Sequence, residues 1–171
     1  MPLYRLNHAV LYVRDVERSV AFYTDVLAFR PVMALPGAAF LQAPGSTNDH
    51  DLGLFQIGAG AGPSQAGSAT VGLYHLAWEV DTLAELERLA HRLEAAGALV
   101  GASDHSTTKS LYAKDPDGLE LEVAWVVPAA LLDEETLARR EGIRPLDLER
   151  EKRRYGADTR GGIGISTPAE V

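Results

Sequence analysis

LNHAVLYVRDVERSVAFYTDVLAF (6–29) can be laid over LYHLAWEVDTLAELERLAHRLEAAG (73–97), and this match decides the fold. Each stretch opens with an apolar run carrying one histidine, His8 or His75. Each then reaches an aspartate, Asp15 or Asp81, seven or six residues later. Aspartate is a favoured helix N-cap because its carboxylate accepts a bond from an otherwise unpaired backbone N–H. A helix is therefore expected after each aspartate. In the second copy Leu83, Leu86, Leu89, Ala90 and Leu93 fall three and four residues apart and form one apolar stripe. In the first copy Val16, Val20, Phe22, Tyr23 and Leu27 do so less regularly.

Short strand-like pieces follow each helix. They are FRPVMAL (29–35), AAFLQ (38–42) and HDLGLFQI (50–57), then ALVGAS (98–103), SLYAK (110–114) and LELEVAWVV (119–127). Pro36-Gly37, Pro44-Gly45 and Asp115-Pro116-Asp117-Gly118 are the turn signals between them. Each half reads βαβββ, so the class is α+β. Module 1 covers about 4–58, a Gly/Ser/Ala-rich linker 59–71, and module 2 about 72–127, giving one domain over 1–127. PAALLDEETLARREG (128–142) reads as a short helix. The polar, glycine-rich GADTRGGIGISTPAEV (156–171) reads as a flexible tail, so 128–171 is a C-terminal extension.

With 171 residues and 46% hydrophobic content, the chain can bury one real core. A net charge of -8 argues against general nucleic-acid binding, which needs a basic face. No apolar run approaches the roughly eighteen residues of a membrane span, and the N-terminus lacks an export-signal pattern. A cytoplasmic protein without membrane partners is expected. Cysteine is absent, which removes disulfides, thiolate metal sites and cysteine nucleophiles.

There are five histidines, few enough to place one by one. A strand points alternate residues to opposite faces, so the first strand of each module can present His8 or His75 inward. If the modules are related by a pseudo-twofold, the two rings face each other across a cleft. The strand after DPDG offers Glu120 or Glu122 on one face, with Leu119, Leu121 and Val123 on the other. Two imidazoles and one carboxylate with open positions suit Fe(II) oxygen chemistry. A lone histidine in an apolar strand is more often a satisfied core residue; two at matching points of a repeat, with a carboxylate strand, form a more specific pattern.

The repeat and these ligand positions resemble the vicinal oxygen chelate superfamily, over about residues 4–127. It includes glyoxalase I, methylmalonyl-CoA epimerase, fosfomycin- and bleomycin-resistance proteins, and type I extradiol dioxygenases. The resemblance implies a metal-holding cleft formed by two βαβββ modules. It implies that the carboxylate lies four residues past the turn glycine, Gly118, which selects Glu122; a shifted register would select Glu120.

HSTTKSLYAKDPDGLELE (105–122) resembles the extradiol signature in His105, Leu111-Tyr112, Asp115-Pro116-Asp117-Gly118 and Glu122, with Ser103 as a departure. HDLGL (50–54) resembles the stretch carrying that family's acid/base histidine, here His50. The resemblance implies an Fe(II)-dependent extradiol ring-cleaving dioxygenase of the small catechol 2,3-dioxygenase-like kind. Its partners would be an aromatic diol and O2, its metal Fe(II) (with Mn(II), Ni(II) or Zn(II) as alternatives), and its assembly a homodimer. His8, His75 and Glu122 would be ligands. His50 would move a proton, and His105 and Tyr112 would hydrogen-bond the reacting oxygens. His91, inside the second helix, reads as a surface residue. Phe40, Phe55, Trp78 and Trp125 are candidate pocket walls.

Two rival readings follow from the same resemblance. One is a glyoxalase-type lyase, isomerase or epimerase with Gln56 as a fourth ligand. The other is a non-catalytic drug-binding resistance protein, against which the three ligand residues count.

Overall fold

The computed structural model describes residues 3, 5–67 and 69–162. The chain divides into two compact units between Gln65 and Ala66, and the turn Asp115–Leu119 belongs to the first.

In the first unit β1 (Ala9–Val13) leads into α1 (Val16–Asp25), then β2 (Arg30–Leu35), β3 (Ala38–Gln42) and β4 (Leu52–Gln56). The sheet order is β1-β4-β3-β2, with β1 parallel to β4 and the other pairs antiparallel. Leu11, Val13, Leu41, Leu52 and Leu54 are buried, together with Val16 and Tyr23 of α1. Each fully buried leucine contributes about 2 kcal/mol by removal of apolar surface from water. Asp15 caps α1 as expected, accepting from the Arg18 N–H at 2.9 Å.

The Asp-Pro-Asp-Gly turn is tied to this helix. Asp115 Oδ1 accepts the Asp117 and Leu119 N–H groups at 2.9 and 2.8 Å, and Gly118 takes φ +84°, where a side chain would strain the backbone. Asp117 then accepts from Arg14 N (2.8 Å), Arg14 Nη1 (2.9 Å) and Arg18 Nη2 (2.9 Å).

The second unit contains β5 (His75–Glu79), α2 (Leu83–Ala95), β6 (Leu99–Asp104), β7 (Thr108–Lys114) and β8 (Glu120–Val126). After a 3-10 turn at Ala129–Leu131 come α3 (Glu134–Ala138), β9 (Arg144–Pro145) and α4 (Leu148–Tyr155). The sheet order is β5-β8-β7-β6-β9. Leu83, Leu86, Leu89 and Leu93 of α2 are all buried, as the spacing requires.

Three local expectations are corrected. Thr82, not Asp81, caps α2, accepting from the Glu85 N–H at 3.1 Å. The helix expected over 128–142 is shorter, and the charged stretch beyond it forms α4. Residues 156–162 are not a loose tail. Ala157 O accepts from Ala84 N (2.9 Å), Thr159 O from Trp125 Nε1 (3.1 Å), and Asp81 O from Gly161 N (2.6 Å). The remainder of the expected flexible tail, 163–171, lies outside the described residues. Among the described residues no helix is long and apolar enough to cross a membrane.

Candidate functional site

In the first unit His8 and His50 come together. His8 stands just before β1, where the Ala9 N–H donates to Asp51 O at 2.9 Å. It is therefore one residue outside the strand in which it was expected. Its ring lies 4.7 Å from that of His50, which lies 5.1 Å from Phe40; Phe40 in turn meets Phe55 at 5.8 Å. The loop before His50 is organised by buried Asp51, which accepts from Ala43 N (2.8 Å), Ser46 Oγ (2.7 Å) and Asn48 Nδ2 (2.7 Å). His50 Nδ1 faces the Asp49 carboxylate at 2.9 Å. Of the four wall candidates, Phe40 thus lies against His50, and Phe55 lies against Phe40.

Gln56 has a different occupation. Its Oε1 accepts the Val16 N–H at 3.0 Å and satisfies one of the open donors at the start of α1.

In the second unit the strand register puts His75, Ala77, Glu120, Glu122, Ser110 and Tyr112 on one sheet face. His75 Nε2 lies 3.0 Å from Glu122 Oε2. Glu120 instead lies 3.6 Å from Lys114 Nζ and beside the Tyr74 phenol. Two adjacent donors at about 2.1 Å from one octahedral ion are about 3 Å apart, so the His75–Glu122 spacing fits a shared metal. The nitrogen-plus-oxygen donor set fits Fe(II) as well. His75 Nδ1 is buried with no hydrogen-bond partner among the described residues. Within neither unit do three His, Asp or Glu side chains of the described residues gather into a metal-holding group. His8 belongs to the first unit, and His75 and Glu122 belong to the second.

Next to this pair, His105 Nε2 and Tyr112 Oη are 2.8 Å apart, and the Tyr112 ring lies 5.8 Å from that of His75. Burial first, and then the Glu122 charge, push the Tyr112 phenol above its ordinary value, so it keeps its proton at neutral pH and can donate. Trp125 is no pocket wall. It is fully buried on the opposite face, 5.5 Å from the Tyr155 ring. Trp78 shares that opposite face through its register with Val123. His91 is exposed on α2, as expected.

The sequence reading missed the cluster beneath the His105 loop. Lys109 is 1% exposed, with its Nζ 2.5 Å from Asp104 Oδ1 and 2.9 Å from Glu151 Oε2. Its parity was the available signal: Lys109 shares a strand face with Leu111 and Ala113, which are both buried. Burial alone would raise the Asp104 carboxyl, but Lys109 and the Ser106 N–H together hold it below its ordinary value.

The profile of the Glyoxalase/Bleomycin resistance protein/Dioxygenase superfamily matches residues 5–123. The chain is 32% identical over 118 residues to a catechol-2,3-dioxygenase of Bacillus subtilis (strain 168), covering 69% of this chain and 40% of that protein. It is 33% identical over 120 residues to a biphenyl-2,3-diol 1,2-dioxygenase 3 of Rhodococcus globerulus, covering 70% of this chain and 62% of that protein. The match thus spans less than two thirds of either relative. Among solved structures, a glyoxylase/bleomycin resistance protein/dioxygenase domain from Frankia sp. EAN1pec aligns with a TM-score of 0.63 at 25% identity. That alignment covers 75% of this chain and 96% of that domain.

Proposed function

The chain belongs to the glyoxalase/bleomycin resistance protein/dioxygenase superfamily, and from that premise we propose that it is an Fe(II)-dependent extradiol dioxygenase that opens a catechol-type ring with O2. One observation carries the reading: a convergent imidazole and carboxylate, His75 and Glu122, share a sheet face with a hydrogen-bonded histidine–tyrosine pair. Both curated relatives bear dioxygenase names, one for catechol and one for biphenyl-2,3-diol.

His8, His75 and Glu122 are the residues that would hold the metal. Bound there, the ion supplies the Lewis acidity that lowers a diol hydroxyl's pKa and the redox chemistry that activates O2. The remaining work falls to the chain. His50 is the group to take a diol proton and return it during ring opening, general acid–base work for which an imidazole is suited. Asp49, 2.9 Å from Nδ1, orients that ring and leaves Nε2 for the exchange. Tyr112 donates from a phenol that stays protonated, and His105 sets its direction through the 2.8 Å contact. Phe40 and Phe55 offer apolar edges against which an aromatic ring can pack. The lyase or isomerase alternative needs Gln56 on the metal, and its carbonyl oxygen is engaged by the Val16 N–H.

The test is anaerobic reconstitution with Fe(II), addition of a panel of catechols, and admission of O2 with the ring-fission product followed by its yellow absorbance. Product with at least one catechol is expected. No product with any catechol, together with turnover of a thioester or hemithioacetal under Ni(II) or Co(II), would overturn the reading.

A further inference from the structure

We propose that the C-terminal segment carrying α3 and α4 is a positioning element for His105, acting through the buried Lys109 and the strained Ser106. The consequence for catalysis rests on the dioxygenase reading above; the positioning itself does not.

His105 sits between two buried residues, Asp104 and Ser106, in the turn joining β6 to β7. Ser106 is a non-glycine residue at φ +68°, a left-handed conformation that persists only where the surroundings enforce it. Three contacts enforce it. Its N–H donates to Asp104 Oδ1 at 2.7 Å, its carbonyl accepts from Lys109 Nζ at 3.0 Å, and its Oγ donates to Thr136 O of α3 at 2.7 Å. Lys109 in turn donates to Asp104 Oδ1 and the Ser106 carbonyl, and its charge is paired with the Glu151 carboxylate of α4 at 2.9 Å.

A stability role alone does not require this chemistry. Buried ion clusters can often be replaced by apolar side chains without loss of stability. A fixed ammonium with two hydrogen-bond acceptors and a second paired carboxylate supplies direction instead. It holds the turn in one conformation, and so aims the His105 ring at Tyr112 Oη, 2.8 Å away. Two of the turn's anchors, Thr136 and Glu151, come from the extension.

The experiment uses the full chain loaded with diamagnetic Zn(II), comparing Glu151→Leu, Glu151→Gln and Ser106→Ala. The nuclear Overhauser contact between the His105 and Tyr112 rings is the readout, with the Tyr74–His75 ring contact as internal reference. Glu151→Leu and Ser106→Ala should lose at least about half of the His105–Tyr112 intensity with the reference unchanged, whereas Glu151→Gln, which keeps an acceptor for Lys109, should retain it. If Glu151→Leu fails to fold, Ser106→Ala decides alone. Full intensity in folded Glu151→Leu or Ser106→Ala overturns the proposal. In the Fe(II) enzyme the same two variants should lose about tenfold or more in kcat with KM and iron content unchanged. A parent protein that cleaves no catechol would count against the dioxygenase reading, and the ring contact would still decide the positioning role.

Discussion

Replacing Lys109 by methionine keeps most of the side chain's length and removes its charge, and it should cost about 3 kcal/mol of stability at neutral pH. The magnitude follows from what remains. Removing one partner of a buried ion pair costs roughly 3–5 kcal/mol, because the other charge is left uncompensated. Here two carboxylates are left, Asp104 and Glu151, with Glu151 2% exposed. The cost belongs at the low end of the range, since Asp104 keeps the Ser106 N–H at 2.7 Å and Arg150 Nε lies 3.9 Å from Glu151 Oε1. Stabilities of natural domains are about 5–15 kcal/mol, so the variant should still fold.

The pH dependence sharpens the test. In the parent protein Asp104 is held below its ordinary value, so its contribution is present above that value and is lost as pH falls through the depressed one. In Lys109→Met the burial that pushes Asp104 upward is no longer opposed by the ammonium. Its folded value then rises relative to the parent's, and lowering the pH through it relieves part of the penalty. Urea denaturation followed by far-ultraviolet circular dichroism at about pH 7.5 and about pH 5 should show the loss shrinking at the lower pH. Combining Lys109→Met with Glu151→Leu and Asp104→Asn should recover most of the loss, because neither buried carboxylate remains. A loss below about 1 kcal/mol in the single variant, or an equal loss at both pH values, would refute the argument that this is a buried, mutually dependent cluster.

Three further outcomes are expected. Gln56→Ala should cost about 1 kcal/mol through the lost contact with the Val16 N–H and leave metal stoichiometry unchanged by elemental analysis; loss of the metal would make Gln56 a ligand. His50→Phe should retain iron and lower the ring-cleavage rate by about 10²–10⁴-fold, and an undiminished rate would remove His50 from proton transfer. Asp133, which caps α3, is lowered from 3.8 to about 2, chiefly by its bonds to Thr136 and then by Arg154. Its contribution should hold above the ordinary value and fade as pH drops through about 2, read as declining protection of the Thr136 amide; a flat profile over that range would contradict the cap's role.

The strands and the two long helices were legible because alternation and the three-to-four spacing depend only on which face is buried. The helix cap at Asp81-Thr82 was not, because both residues can cap and the choice is made elsewhere. The Asp81 carbonyl is taken by the Gly161 N–H and its carboxylate lies 3.5 Å from Arg160 Nη2, which leaves Thr82 to hold the Glu85 N–H. Local sequence carries no information about a partner eighty residues away. At the site, the resemblance directed attention to His50, His105 and Tyr112, and the choice between Glu120 and Glu122 rested on a count from Gly118. The contacts that distinguish the two glutamates, Lys114 and Tyr74 for one and His75 for the other, depend on register across three strands.

The C-terminal segment was misread for a physical reason that also explains its use. Composition treats glycine and charge as marks of looseness. Gly161 is needed because a side chain there would meet Trp125 Cδ1, Trp125 Nε1 and Val126 O at 3.0 Å, so its missing Cβ permits close packing. In α4 only Glu151 and Tyr155 are buried, and the helix is fastened by ion pairs such as Lys152 to Glu87 at 2.7 Å, so there is no apolar stripe to find. The decisive residue was Lys109, a charge at the parity of the buried Leu111 and Ala113. A buried ammonium needs buried acceptors, and Asp104 alone cannot fill three donor positions. Here Asp104 and the Ser106 carbonyl accept from the lysine, and Glu151, from beyond the repeat, brings a second negative charge to it. That buried pairing makes the charged stretch after residue 142 part of the second unit's core rather than an appendage.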